Sequence, residues 1–133
     1  MIVLDTHALL WWVSNPERVP AKARRLLDKA VADNSTVSVS AISTWEIAML
    51  SLRARLELTM PVDAWIAHVE ELPWLTFVSV DNRIALRSVH LEGFPHRDPA
   101  DRIIVATALV LNATLVTADD RLRSWKSVRT VWD

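Results

Sequence analysis

The sequence predicts a three-layer α/β fold in which a mostly parallel central sheet of about four to five strands is flanked by helices. Short runs of β-branched residues alternate with longer amphipathic segments, which is typical of strand–helix–strand units in a parallel sheet. An acidic residue also stands near each of four predicted strand-to-helix junctions. The chain has 133 residues, of which 51% are hydrophobic and 23% charged, so we expect one globular domain over residues 1–133.

The strands are predicted from short β-branched runs and the helices from apolar residues at helical spacing. The predicted strands cover residues 1–5, 36–40, 76–80, 113–117 and, as an edge strand, 128–131. The predicted helices cover residues 7–14, 20–32, 43–53, 61–72, 81–90 and 98–111. Asp81 is a predicted N-cap, and Asn112 is expected to take the left-handed conformation that ends a helix.

Several classes of protein are excluded by what the sequence lacks. With no cysteine, it has no disulfide, no thiolate metal site and no cysteine nucleophile. Gly93 is the only glycine, which excludes the glycine-rich loops that cradle phosphates in nucleotide-binding folds. No apolar run approaches the roughly 20 residues that span a bilayer, and the first five residues lack the basic start of a signal peptide. We therefore expect a cytoplasmic protein with no membrane partner.

Four acidic residues are the main clue to function: Asp5, Glu46, Asp101 and Asp119. Asp5 and Asp119 follow predicted strands, whereas Glu46 and Asp101 lie near the starts of helices. Open α/β sheets bind ligands at the carboxyl ends of their strands, so the four carboxylates are predicted to meet in one crevice there. Clustered carboxylate oxygens are the donors that Mg²⁺ or Mn²⁺ requires.

Helix capping is a competing explanation, since acidic residues stabilise helix N-termini without any ligand. Residues 43–46 (STWE) even form a capping-box pattern. Several helix starts, however, carry more candidates than one cap requires. If Thr6, Asp98 and either Asp119 or Asp120 cap their helices, the other acids are free to face the crevice. Such a cluster repels itself and should raise some of its pKa values unless a divalent ion is bound.

Four short segments carry a resemblance to a known family. They are LDTHALLW (residues 4–11), SAISTWEI (40–47), RDPADRIIVATA (97–108) and LVTAD (115–119). In this order and across nearly the whole chain, they resemble PIN-domain ribonucleases, specifically the VapC-type toxins of bacterial type II toxin–antitoxin pairs. The resemblance implies a PIN-like fold and a single-stranded RNA endonuclease that uses Mg²⁺ or Mn²⁺.

The resemblance also implies roles for the acids. Asp5, Glu46 and Asp101 match the family's acidic core, and Asp119 matches its fourth, more variable acid. All four are therefore candidate catalytic residues and metal ligands. Asp98 belongs to the DPxDR motif of this subgroup, and it caps the helix, holds a water on the metal or binds a second ion. Cleavage is expected by water that the metal activates for in-line attack, which leaves 5′-phosphate and 3′-hydroxyl ends without a covalent intermediate.

Other polar residues near these motifs have candidate roles. The hydroxyls of Thr6 and Thr117 are placed to orient a carboxylate or a water. His7 is expected to be a packed or capping histidine, because the metal already supplies the nucleophile. Three residues are candidates for contact with a substrate phosphate: His96, Arg97 and Arg102. The alternative for Arg102 is an ion pair with a neighbouring acid.

Residues 9–13 (LLWWV) place five apolar side chains in a row on one short helix, which must be covered on more than one side. The cover is either the rest of the fold or a partner. The family resemblance implies three partners: an RNA substrate, a cognate antitoxin that fills an apolar groove, and a second copy of the chain in a homodimer.

Other functions fit the residues less well. A haloacid-dehalogenase-type phosphatase needs a second acid two residues after the first, where this chain has His7. A response-regulator receiver needs an adjacent acid pair after the first strand and a late lysine, where this chain has Thr6 and Thr117. The remaining alternative is a non-catalytic PIN-like module that binds RNA or protein, although such a module would gain nothing from four mutually repelling carboxylates.

Overall fold

All five strands form one parallel sheet in the computed structural model, which describes residues 1–133. They are β1 (Ile2–Leu4), β2 (Val37–Ser40), β3 (Leu75–Val78), β4 (Thr114–Val116) and β5 (Thr130–Val131). Their order across the sheet is β3-β2-β1-β4-β5, and every neighbouring pair is parallel. The predicted α/β class, and a parallel sheet of four to five strands, are confirmed.

Seven helices and one short 3₁₀ turn connect the strands. The helices are α1 (Thr6–Ser14), α2 (Ala21–Ala32), α3 (Ile42–Leu52), α4 (Val62–Glu70), α5 (Asn82–Val89), α6 (Pro99–Val110) and α7 (Asp120–Ser124). The 3₁₀ turn over Pro16–Arg18 was not predicted. A helix after Asp119 was expected without bounds, and it is the single short α7.

The strand order creates a switch point beside β1, where the chain reverses the direction in which it adds strands. From β1 it proceeds through β2 to β3 at one edge, and then returns to β4 on the other side of β1. The connections from β1 and from β4 therefore leave the sheet in opposite directions, and a crevice opens between them at the strands' carboxyl ends. The backbone N–H of Asp5 donates to the carbonyl of Val116 (3.1 Å), which holds the two strand ends side by side.

The two faces of the sheet are covered by different helices, because side chains alternate along each strand. On one face, Leu4 and Val39 pack with residues of α1, α2, α3 and α4. On the other face, Val3 and Leu115 pack with residues of α6 and α7. The two clusters on either side of the sheet account for the three layers.

Two of the predicted helix ends are confirmed and one is wrong. The Asp81 carboxylate accepts from the N–H of Ile84 (2.9 Å) and so caps α5, and Asn112 has φ of 52° just after α6. The capping box over residues 43–46 does not form, because α3 already begins at Ile42 and its N-cap Ala41 has no side chain that can cap. This leaves Glu46 in the second turn of the helix, where it is free to face the crevice.

The rest of the fold largely covers the apolar helix α1. Leu9 and Leu10 are buried, and Trp11, Trp12 and Val13 pack half-buried against the core. The ring of Trp12 lies 4.4 Å from that of Trp74, and the ring of Trp11 lies 5.6 Å from that of Trp132. Of the two explanations for this apolar run, burial within the chain accounts for most of its surface.

None of the helices combines the length and the apolar character that crossing a membrane requires.

The Asp81 cap gives a test of the fold that does not involve the crevice. Asp81→Ala is expected to lower the free energy of unfolding by about 1 kcal/mol, because it leaves the N-terminal N–H groups of α5 without their side-chain acceptor. Urea denaturation measures the change. Asp28→Ala, at an exposed position inside α2, is the matched control and should change stability by less. Equal effects of the two substitutions would contradict the assignment of the cap.

Candidate metal centre

A cleft of about 400 Å³ opens at the carboxyl ends of the strands, beside the switch point. All four predicted acids line it, together with Asp98, and the structure therefore brings the candidate ligands together. The other lining residues are Thr6, His7, Trp11, Ile104 and Ala118. The cleft is formed by the ends of β1 and β4 and by helices α1, α3 and α6.

Asp5 is buried at the end of β1 and uses both of its carboxylate oxygens. Oδ1 accepts from the N–H of Ala8 (2.8 Å), which makes Asp5 the N-cap of α1. Oδ2 accepts from the hydroxyl of Thr117, which follows β4. Because each carboxylate oxygen has two lone pairs, these two bonds leave acceptor positions open on both oxygens.

The predicted cap of α1 was wrong, because Asp5 and not Thr6 caps this helix. Of the two candidates for the cap of α7, Asp119 is the one that forms it, and its Oδ1 accepts from the N–H of Arg121 (2.8 Å). The prediction assumed that a capping acid cannot also face the crevice. A carboxylate can do both, since one cap bond occupies only one of its lone pairs. The side chain of Asp120 is 95% exposed and lies 3.7 Å from Arg123.

Glu46 is oriented by hydroxyl groups that α1 and α3 contribute. Thr6 Oγ1 donates to Glu46 Oε1 (2.5 Å) and also lies 2.9 Å from Ser43 Oγ. A hydroxyl has one proton, so the Ser43 hydroxyl donates in the second bond. Thr6 and Thr117 thus each contact a carboxylate of the cluster, and Ser43, which the sequence marked only as a cap, supports Thr6 from a fully buried position.

Asp101 and Asp98 both lie at the start of α6 but differ in their bonds. Asp98 Oδ1 caps the helix by accepting from the N–H of Ala100 (2.8 Å) and more weakly from that of Asp101 (3.4 Å). Asp98 is exposed at the rim of the cleft, whereas Asp101 is half-buried. Of the alternatives for Asp98, capping is the one for which the structure gives a contact.

Two of the clustered carboxyls have raised pKa values, and burial contributes more to both than the repulsion on which the prediction was based. Burial, and then the negative charges of Asp98, Glu46, Asp119 and Asp5, raise the pKa of Asp101 to about 7 from 3.8. Burial also raises the pKa of Asp5 to about 6, although the hydrogen bonds from Thr117 and Ala8 oppose the change. Close to neutral pH the metal-free cluster therefore retains protons that ordinary aspartates would have lost.

His96 is buried beside the cluster and does not lie on the surface that a phosphate would approach first. Its Nδ1 is 3.5 Å from Asp101 Oδ2, and its Nε2 is 3.9 Å from Asp119 Oδ1. Arg97 is exposed, and His7 is exposed at the rim of the cleft. The position of His96 was not predictable, because a loop residue carries no periodicity that reveals which way it faces.

Arg102 holds the loop that carries His96 and forms no ion pair with a neighbouring acid. Its guanidinium donates to the backbone carbonyls of Ser88 (2.9 Å), Val89 (3.3 Å) and His96 (2.8 Å). The same group lies 5.6 Å from the centre of the Phe94 ring. These bonds hold the loop in place. Of the two roles considered for Arg102, the ion pair does not form, and contact with a substrate phosphate stays a prediction.

The residues of the cleft fit a divalent cation. One ligand atom each from His96, Asp101 and Asp119 lies within 4.8 Å of the other two. Asp5 and Glu46 add carboxylate oxygens held by hydroxyl donors. Burial, and then the charges of neighbouring acids, raise the pKa values of Asp101 and Asp5, and a bound cation would favour the ionised form of both carboxyls. Hard oxygen donors in this number suit Mg²⁺ or Mn²⁺.

Comparison with known proteins identifies the family. A model described as the PIN domain matches residues 2–126. The chain belongs to the PIN domain family. A curated PIN relative, "Ribonuclease VapC22" of Mycobacterium tuberculosis (strain ATCC 25618 / H37Rv), is 35% identical over 133 residues, and the match covers 98% of each chain.

Solved structures share the PIN fold at low sequence identity. VapBC2 from Rickettsia felis, crystallised with a DNA fragment from its promoter, matches with a TM-score of 0.72 at 18% identity over 100% of both chains. DNA-bound VapBC from Salmonella typhimurium matches with a TM-score of 0.69 at 20% identity, over 98% of this chain and 96% of that one. FitAcB from Neisseria gonorrhoeae matches with a TM-score of 0.67 at 21% identity, over 98% of this chain and 96% of that one. These matches establish the fold of this PIN domain.

The raised pKa of Asp101 predicts a pH-dependent effect of Asp101→Asn on the metal-free protein. Because the folded pKa lies above the ordinary value, the folded state keeps a proton that the unfolded state releases, and wild-type stability falls as pH rises through that window. Asparagine has no such proton. The free energy of unfolding of the variant, minus that of wild type, should therefore be about 2 kcal/mol higher at pH 7 than at pH 5. Urea denaturation in EDTA measures both values.

Asp120→Asn is the matched control, because its side chain is exposed and lies outside the cleft. Its difference from wild type should change little with pH over the same range. If the difference in free energy of unfolding between Asp101→Asn and wild type also stays constant with pH, the raised pKa of Asp101 is contradicted.

Proposed function

We propose that this PIN domain is a metal-dependent endonuclease for single-stranded RNA and acts as the toxin of a toxin–antitoxin pair. The observation that carries the proposal is the convergence of Asp5, Glu46, Asp101 and Asp119 on one cleft at the switch point of the sheet. The relative named a ribonuclease supports it, since that protein is 35% identical over nearly the full length. Mg²⁺ or Mn²⁺ is the proposed cofactor.

The carboxylates supply the ligands, and the threonines set their orientation. Thr117 holds one oxygen of Asp5, and Thr6 holds one oxygen of Glu46, so neither carboxylate can rotate freely when a cation binds. Restraining the ligands in this way lowers the entropy lost on binding and fixes where the cation sits. We assign Asp5, Glu46, Asp101 and Asp119 as ligands, and Asp98 as a helix cap at the rim of the site.

A divalent ion in this cleft supplies Lewis acidity, which activates water and neutralises the charge that develops on the phosphoryl oxygens. In the proposed reaction a water oxygen bonds to phosphorus and the 3′-oxygen leaves with a proton, which yields 5′-phosphate and 3′-hydroxyl ends. No side chain becomes covalently attached to RNA. We propose that Arg97, which is exposed and precedes Asp98 in the chain, contacts the incoming phosphate. His7 was expected to be packed or capping, but it is exposed in the lining of the cleft and is a second candidate for this contact.

The proposed partners follow from the relatives and from the exposed apolar surface. On α3, Trp45 is 56% exposed and Leu52 is 80% exposed, and Trp45 lies beside the cleft next to Met49 and Arg53. The Klebsiella pneumoniae structure that shares this fold is a toxin–antitoxin complex. We propose that an antitoxin binds this chain, that the chain forms a homodimer, and that both act in the cytoplasm.

A non-catalytic module that binds RNA or protein is the alternative. Such a module has no use for a cluster of carboxylates in which burial, and then the charges of neighbouring acids, raise the pKa values of Asp101 and Asp5. The burial of Asp5 beside Asp101 costs folding free energy in the absence of a cation, and binding a cation offsets that cost. The cluster therefore favours the enzyme over the binding module.

Induction in a bacterial host with mapping of RNA 5′ ends tests the proposal. Wild-type protein should arrest growth and generate new 5′-phosphate ends, and purified protein should cut single-stranded RNA with Mg²⁺ or Mn²⁺ and not with EDTA. Asp101→Asn should lower the cleavage rate at least about a hundredfold, since it removes a ligand of the ion that would neutralise the transition-state charge. Asp120→Asn is the matched control and should cut like wild type.

Two results would overturn the assignment. If wild type still cuts RNA in EDTA, the reaction does not require a metal. If Asp101→Asn produces new 5′-phosphate ends as fast as wild type, the reaction does not require the acidic cluster.

A further inference from the structure

His96 is buried beside the cleft, and one of its ring nitrogens has no hydrogen-bond partner. The residue is only 6% exposed, and its Nε2 makes no hydrogen bond within the chain. Burying an unpaired imidazole nitrogen costs free energy, so such an atom requires an explanation. The ring faces Asp101 on one side and Asp119 on the other.

The loop that carries His96 is held rigidly enough to aim the ring. Arg102 binds the backbone carbonyl of His96, and the ring of Phe94 lies 5.7 Å from the imidazole. Trp125 packs edge-on against Phe94 (5.1 Å) and donates its indole N–H to the carbonyl of Glu92 (3.1 Å). The imidazole is thus held by the Arg102 bond to its backbone and by the neighbouring Phe94 ring.

We propose that His96 is a nitrogen ligand of the cation at the Asp101–Asp119 side of the cleft, and that it makes the site select a first-row transition ion over Mg²⁺. The proposal deepens the proposed function, on which it rests. Mg²⁺ prefers oxygen donors and gains little from imidazole, whereas a neutral imidazole nitrogen binds transition ions with an affinity that rises from Mn²⁺ along the row.

A charged imidazolium that bridges the two acids is the competing role for this side chain. An imidazolium buried between carboxylates would donate hydrogen bonds to them from both nitrogens. The ring makes neither bond, since its nitrogens lie 3.5 Å from Asp101 and 3.9 Å from Asp119. One ligand atom from each of the three residues instead lies within 4.8 Å of the other two, close enough for one cation to contact all three. The geometry therefore favours a cation among the three groups.

Electron spin-echo spectroscopy of bound Mn²⁺ tests the ligand directly, because it detects nitrogen bonded to the ion. The experiment uses the full chain, expressed once with natural histidine and once with ¹⁵N-histidine. Wild type should show nitrogen modulation that changes with the isotope. His96→Gln should bind Mn²⁺ without this modulation, and its ratio of Mn²⁺ to Mg²⁺ affinity in calorimetry should fall by about tenfold or more.

Two matched histidine variants identify the source of the nitrogen signal. His7 lies exposed in the same cleft, and His90 is exposed outside it. The signal should persist in both His7→Gln and His90→Gln. Loss of the signal in His7→Gln with its retention in His96→Gln would overturn the assignment to His96.

The wild-type spectrum decides the proposal even if His96→Gln fails to fold. Bound Mn²⁺ without nitrogen modulation would overturn the histidine ligand and leave the carboxylate nuclease standing, provided that Asp101→Asn abolishes Mn²⁺ binding. A chain that binds no Mn²⁺ at all would overturn both. An equal loss of Mn²⁺ and Mg²⁺ affinity in His96→Gln would show a role in charge or packing and would contradict the selectivity.

Discussion

The parallel pairing of β1 with β4 is the constraint on which the site depends. Their register places Leu4 opposite Val116, so the next residue of each strand, Asp5 and Thr117, emerges at the same edge. The hydrogen bond between those two side chains then fixes the central carboxylate. Helices α3, α6 and α7 begin at this same edge of the sheet, and they therefore bring the remaining acids to it. Shifting either strand by one residue would turn its side chains to the opposite face of the sheet.

Capping and the clustering of carboxylates arise from the same residues in this cleft. The same helix N-termini that favour Asp5, Asp98 and Asp119 for stability also collect negative charge around one point. Backbone donors satisfy some of the lone pairs, and hydroxyls satisfy others, but the charge itself is not neutralised. This explains how a fold can hold mutually repelling carboxylates before any cation binds, and why burial still raises the pKa of Asp101.

The sequence pattern was sufficient to predict the strands, the helices and the meeting of the acids. It was not sufficient for features that depend on the direction in which a side chain points. The alternation of short strands with helices was sufficient to predict the parallel sheet, and the acids' positions at strand ends predicted their convergence. The capping box over residues 43–46 failed because the N-cap of α3 is Ala41, two residues before the Ser43 that the pattern implied. The contact between Thr6 and Ser43, and the inward orientation of His96, depend on packing between distant segments, which a single sequence does not encode in any local spacing.

A divalent cation that binds this cleft should displace the protons that the metal-free carboxyl cluster holds. The direct measurement is calorimetry of Mn²⁺ binding at pH 6 in buffers of different ionisation enthalpy, which reports the number of protons released. With pKa values of about 6 for Asp5 and about 7 for Asp101, binding should release on the order of one proton at pH 6 and almost none above pH 8. Mn²⁺ binding at pH 6 without proton release would contradict the account.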